Sequence, residues 1–243
     1  MMSKQTWVFA VVLASASLLH ADSLSIGNPA SSTTLAINDN AISNYLGYPK
    51  GLTAAIDPYK ATLNGNQQIL VYCIDPNHFD ASGPYTVNVS TSPLGAGTQT
   101  LQYMYGNPNP ANTYGELAYL SQLLSGYYSS SAPPNVLTAQ EIQAAIWDLS
   151  LRGHTPSDTS FVATAPSGIN QNDFNSAYLG LENQASNHAF TSGFEILTDS
   201  ACNASDINTT SCHQEFLVLT PEPTSFLLLG TGLFGAFLRR FKN

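Results

Sequence analysis

Gln68-Ile-Leu-Val-Tyr-Cys-Ile74, stopped by Asp75-Pro76, decides how the chain is read. The run is apolar, partly β-branched and closed by a turn dipeptide, so it predicts a strand. Working outward, Tyr85–Val89 alternates and predicts another, and Ser23–Ile26 and Thr33–Ile37 predict two more before it. Gly95–Gly97 and Gly106-Asn-Pro-Asn-Pro110 read as loops. Three helices are expected next. Thr113 with Glu116 fits a capping box and opens an apolar face of Leu117, Leu120, Leu123 and Leu124. Thr138 with Glu141 repeats the device before Ile142, Ala145, Ile146 and Leu149, with Trp147 flanking that face. Tyr127–Pro134 is a Ser/Pro-rich loop between these two, and Asp173 to Asn187 is a weaker third helix carrying Phe174, Tyr178 and Leu181 on one side. Phe194–Leu197 and Phe216–Leu219 predict late strands. Strands, then helices, then strands argue for an α+β fold.

The composition narrows the function classes. The 243 residues hold 7 Lys+Arg against 16 Asp+Glu, a formal net charge of −9, with only 9% charged and 43% hydrophobic residues. Between Asp22 and Glu222 the bases are Lys50, Lys60 and Arg152, while all 16 acids fall there. Phosphate neutralisation needs clustered Lys and Arg, so a nucleic-acid partner is excluded. Ser, Thr, Asn, Gln, Gly and Tyr replace charge, a common surface for extracellular proteins. Aromatic residues at 10% and recurrent apolar runs argue against disorder.

Both ends read as addresses. Lys4, the apolar stretch Trp7 to Leu19 and the small Ala21 make residues 1–21 a secretory signal, because the stretch is shorter than the roughly 20 apolar residues of a membrane span. The competing reading is an uncleaved N-terminal anchor. At the other end, Pro221-Glu222-Pro223 precedes the apolar segment Phe226–Leu238, and Arg239, Arg240 and Lys242 follow. The prolines disfavour helix at and before them, and the cations stay on the cytoplasmic side. This order resembles the PEP-CTERM sorting signal of Gram-negative bacteria. A plain membrane anchor would explain the apolar run and the Arg pair but not Pro-Glu-Pro. The resemblance implies an exported protein held transiently in the inner membrane and cleaved by an exosortase-type membrane protease. It also implies a final place on the cell surface or in the extracellular matrix. Residues 22–220 are then the exported domain, and residues 221–243 the sorting tail with a short membrane helix.

Three cysteines in an exported chain leave one to explain. Cys202 and Cys212 flank a polar loop and can close a small disulfide; Cys73 is then a buried thiol, a chemically used one, or the partner of one of that pair. Three strings belong together: Val71-Tyr72-Cys73-Ile74-Asp75, Ile142-Gln143-Ala144-Ala145-Ile146-Trp147, and Gln214-Glu215-Phe216-Leu217-Val218. In this order they resemble the thioester domains of bacterial surface adhesins. The resemblance implies an antiparallel, β-sandwich-like sheet with an inserted helical subdomain, and a covalent bond between the Cys73 thiol and the Gln214 acyl group. Gln143, Trp147 and Tyr72 would support that site. Two positions depart from the family pattern: Ile142 stands where Thr usually precedes the helix Gln, and His213 where an apolar residue usually precedes the acyl donor.

The chemistry stands apart from the family. A thioester is an acyl group on a good leaving group, open to attack by an amine and by water, so it needs an apolar, shielded site. Tyr72, Ile74, Trp147 and Phe216 are candidate walls. The expected function is adhesion or attachment to an amine-bearing surface or to extracellular polysaccharide. The alternative is a noncovalent component of an exopolysaccharide or biofilm matrix. An enzyme ranks third: no Gly-x-Ser-x-Gly elbow occurs, and His78 and His154 are candidate partners of Cys73 only if the fold brings them there. No cofactor or metal is expected. The histidines lack metal-site spacing, and Asp75, Asn77 and Asp80 lack the Gly and Glu of a calcium loop and read as a solvated turn. Tyr103–Tyr105 and Tyr127-Tyr128 read as packing residues before sugar platforms.

Overall fold

The computed structural model describes residues 22–29, 34–39, 52–56, 58–75, 84–90, 110–129, 136–152, 161–201, 213 and 215–220. Six strands form a closed antiparallel barrel: β1 (Asp22–Pro29), β4 (Tyr59–Leu63), β5 (Gln67–Cys73), β9 (Phe216–Leu219), β8 (Phe194–Asp199) and β6 (Tyr85–Ser90), in that order around the wall. A small sheet holds β3 (Leu52–Ala55), β2 (Thr34–Asp39) and β7 (Phe161–Ala163). Three helices, α1 (Pro110–Ser129), α2 (Val136–Arg152) and α3 (Gln171–His188), pack on one another. α1 also lies against β9, and α2 against β2 and β7, so the helices occupy the space between barrel and small sheet.

The α+β reading and the antiparallel pairing hold. The sandwich does not: the main sheet closes on itself. Closure is supplied by β1, which pairs with β4 on one side (Leu24 opposite Leu63) and with β6 on the other (Leu24 opposite Tyr85). A closed sheet turns its inner face onto itself and leaves no free edge, so it is not one layer of a two-sheet sandwich. The signal helix and the C-terminal apolar helix fall on residues 1–21 and 221–243, outside the described residues. No helix among the described residues is long and apolar enough to cross a membrane.

Local sequence explains where the elements begin. α1 starts at Pro110, three residues ahead of the expected Thr113 cap. A proline suits the first helical position, where its missing N–H leaves nothing unpaired. Thr113 is therefore inside the helix, and Glu116 accepts a hydrogen bond from Asn112 Nδ2 at 2.6 Å instead of closing a box. α2 likewise starts at Val136, two residues before Thr138. α3 has a true cap: Asn170 Oδ1 accepts from the backbone N–H of Asn172 at 2.8 Å and of Asp173 at 3.4 Å.

α2 departs from the amphipathic reading. From Ile142 to Leu151 every residue is buried, including Gln143, Trp147, Asp148 and Ser150. A helix buried all round is a core element rather than a surface one. α1 approaches the chain after α3 closely enough that Phe190 N–H donates to Gly115 O at 3.0 Å. A Cβ at residue 115 would stand 2.3 Å from Phe190 O, so glycine is required there.

Candidate functional site

β5 changes character along its length. Residues 67–70 are exposed or half-buried, whereas Val71, Tyr72 and Cys73 are all buried, as are Ile74 and Asp75 beyond the strand. A strand buried at consecutive positions is covered on both faces. One cover is the barrel interior. Cys73 pairs with Phe216 across the ladder, and Phe216 meets Tyr59 edge-on at 6.0 Å. The other cover is helical. Tyr72 pairs with Leu217, and Glu215, on that same alternating face, binds α1.

Cys73 ends β5 with its thiol 3.8 Å from the Asp75 carbonyl oxygen. Gln143 of α2 donates from Nε2 to the Cys73 backbone oxygen at 3.1 Å, a buried contact between residues 70 apart in sequence. Two of the three strings quoted above therefore touch. The third enters through the ladder: Ile74 N–H donates to Glu215 O at 3.4 Å, extending the Cys73–Phe216 pairing by one residue. Trp147 is fully buried one turn after Gln143. Tyr72 is buried too, and burial pushes its hydroxyl above the usual phenol range, partly offset by a hydrogen bond with Ser125. Gln214, Cys202 and Cys212 lie outside the described residues. So do the sorting-tail residues Pro221, Glu222, Pro223, Arg239 and Arg240.

Sequence reasoning missed the polar clamp beside this site. The Glu215 carboxylate is 1% exposed. One oxygen accepts from the Tyr114 hydroxyl of α1, and the other from Thr198 Oγ1 of β8 at 2.7 Å. A buried carboxylate is tolerable when its lone pairs are filled, and these two donors tie α1, β8 and β9 together. The available signal was an acidic residue directly before an apolar strand.

A second polar group sits at the end of β8. Asp199, 2% exposed, accepts from Ala201 N–H at 2.9 Å and from His213 N–H at 3.0 Å, and its Oδ2 lies 2.5 Å from His213 Nδ1. The His213 ring stacks on Tyr85 with centroids 4.2 Å apart. His213 is thus packed and held. His78 and His154, the histidines first considered beside Cys73, lie outside the described residues. So do Asn77 and Asp80; Asp75 is buried rather than solvated. Among the described residues no cluster of His, Cys, Asp and Glu is arranged to hold a metal ion. Tyr127 and Tyr128 are half-buried and meet edge-on at 5.8 Å.

Residues 219–240 match the family model of the PEP-CTERM protein-sorting motif. The motif marks an exported protein that an exosortase, itself a membrane protein, sorts toward the cell surface. No curated protein matches the chain, and no solved structure does.

Proposed function

We propose that the exported domain, residues 22–220, is a surface or matrix attachment module that carries an internal thioester between Cys73 and Gln214. The observation that supports this reading most is the pairing of β5 with β9. Cys73 stands opposite Phe216, and Gln214 lies two residues before Phe216 in the sequence. Gln143, from the helix string, fixes the Cys73 backbone from the other side.

The chemistry balances without a cofactor. The Cys73 sulfur attacks the Gln214 side-chain carbonyl carbon, the C–S bond forms, and the C–N bond breaks. The thiol proton leaves with the amide nitrogen as ammonia. A partner's primary amine then attacks the same carbon, the C–S bond breaks, the amine's proton returns to sulfur, and an amide links partner to protein. The surroundings suit a bond that water must not reach, since Val71 to Asp75 and Phe216 are all buried. The partner class is an amine-bearing surface or extracellular polysaccharide, and the acidic domain favours a cationic amine over an anionic one.

The test is methylamine treatment of the folded protein followed by peptide mapping. The reading requires methylamine on Gln214 and a thiol newly liberated at Cys73. A Gln214 that never takes up methylamine leaves a noncovalent matrix component as the function.

A further inference from the structure

The solvent side of α1 lacks what a surface helix normally shows. The helix has one charged residue, Glu116, and that residue is fully buried, so the outward face carries no charge. It holds instead the half-buried Tyr119, Leu123 and Tyr127, with exposed Gln122 and Gly126 beside them. The three large side chains recur every four residues and form one row, about 12 Å from first to last. At Gly126 the row opens, since an added Cβ would meet nothing within 4 Å. Outward helix faces are ordinarily polar and charged, and aromatic rings left on an uncharged face point to a partner.

One end of the row is a built platform. The exposed His188 ring, at the end of α3, stacks on Tyr119 with centroids 5.3 Å and planes 19° apart, and Phe190 meets Tyr119 edge-on at 6.0 Å. Both neighbours are fixed in place. Phe190 N–H donates to Gly115 O at 3.0 Å, and His188 Nδ1 lies 2.8 Å from Gln184 O. A carbonyl only accepts, so Nδ1 carries the hydrogen and the neutral ring keeps Nε2 as an acceptor, with no partner among the described residues. Residues 183–192 add exposed amides and hydroxyls, and no Asp, Glu, Lys or Arg.

Rings, amides and hydroxyls without charge suit one kind of polymer. The C–H face of a sugar packs on the negative face of an aromatic ring, and its hydroxyls exchange hydrogen bonds with amides and with an imidazole nitrogen. A polyanion would find no cation among these residues, and a polycation no exposed carboxylate. We propose that the outer face of α1 from Tyr119 to Tyr127, together with His188 and Phe190, binds an uncharged polysaccharide chain laid along the helix. The length of the row suits a chain rather than a single sugar. The platform is ordered before the ligand arrives, which lowers the cost of binding. This inference rests on the attachment reading but not on the thioester, since the face contains neither Cys73 nor Gln214.

The test is affinity electrophoresis of the folded full-length chain in native gels. Gels are cast with dextran, glucomannan or galactomannan, which are neutral, or with alginate, a polyanion. Retardation in at least one neutral gel and none in alginate is expected. Gly126→Glu sets a charge in the open space of the row without touching the core, and Tyr119→Ala removes the platform. Each should weaken the interaction on the order of tenfold. If Tyr119→Ala does not fold, Gly126→Glu decides alone. Equal retardation of wild type and Gly126→Glu overturns the proposal, as does retardation in no neutral gel or in alginate as strongly. A wild-type dimer that Gly126→Glu dissociates, with no retardation by sugar, makes the face a self-interface and overturns it too. Methylamine treatment should leave retardation unchanged; its loss would route attachment through the thioester instead. A chain at full mass that is still retarded removes the thioester and leaves this surface standing.

Discussion

The two ends of β5 sit in one barrel and obey different rules. At the β4–β5 hairpin the wall has a wet side: Leu70 is 45% exposed, and Gln68 Nε2 donates to Thr62 Oγ1 at 2.8 Å in solvent. At the β5–β9 seam the wall is buried on both faces, and even a carboxylate, Glu215, is sealed in with its donors. The difference comes from what lies outside the barrel, since helices cover one stretch and water the other. It teaches that the helical layer, more than the strand, decides where a water-sensitive group can survive.

Replacing Phe216 with Ala attacks the covered side most strongly. The change removes a buried ring and its contact with Tyr59, so it should cost about 3–5 kcal/mol in urea unfolding. A loss below about 1 kcal/mol would mean that the seam is not a packed core. Tyr114→Phe is the next largest expected effect. It removes the hydroxyl that donates to a buried carboxylate, and should cost about 1–3 kcal/mol by the same measurement. An unchanged midpoint would show that the clamp does not hold α1 to the barrel.

Glu195, on β8, sharpens the comparison through pH. Burial, then the neighbouring Asp22 charge, raise its carboxyl above the ordinary range. The folded state thus binds the proton more tightly than the unfolded chain does. Its favourable contribution is fully present below the ordinary carboxylate range and is lost as pH rises through the raised folded value. Glu195→Gln should therefore raise the melting temperature at neutral pH, and the gain should vanish in acid below the ordinary carboxylate range. A gain independent of pH would contradict the assignment. The smallest effect belongs to the hairpin side: Leu70→Ala should stay within about 0.5 kcal/mol, because the side chain is nearly half exposed already. A cost matching that of Phe216→Ala would erase the distinction between the two ends.

Strand β5, the late strands and the helical block were legible because each is an apolar run or an apolar period bounded by turn residues. Three strands were not. Leu52–Ala55, Tyr59–Leu63 and Phe161–Ala163 are short and built on alanine and threonine as much as on large apolar residues. Their pairing comes from neighbours: Thr62 and Ala61, for instance, sit between β1 and β5. Barrel closure was invisible for the same reason, since it depends on which distant strands meet. At the site, the Gln143 contact with Cys73 follows the order of the sequence strings. The roles of Tyr114 and Thr198 do not, because a hydroxyl 101 residues from Glu215 and another 17 residues away become its partners only through packing.

The proposed bond between sulfur and acyl carbon is most directly tested by the intact mass of the untreated, folded protein, read against the sequence limits of the purified form. The expected mass is one ammonia short, with Cys73 resistant to alkylation until an amine or hydroxide opens the bond. A mass matching the unmodified sequence, with Cys73 alkylated as soon as the chain is unfolded, would contradict it.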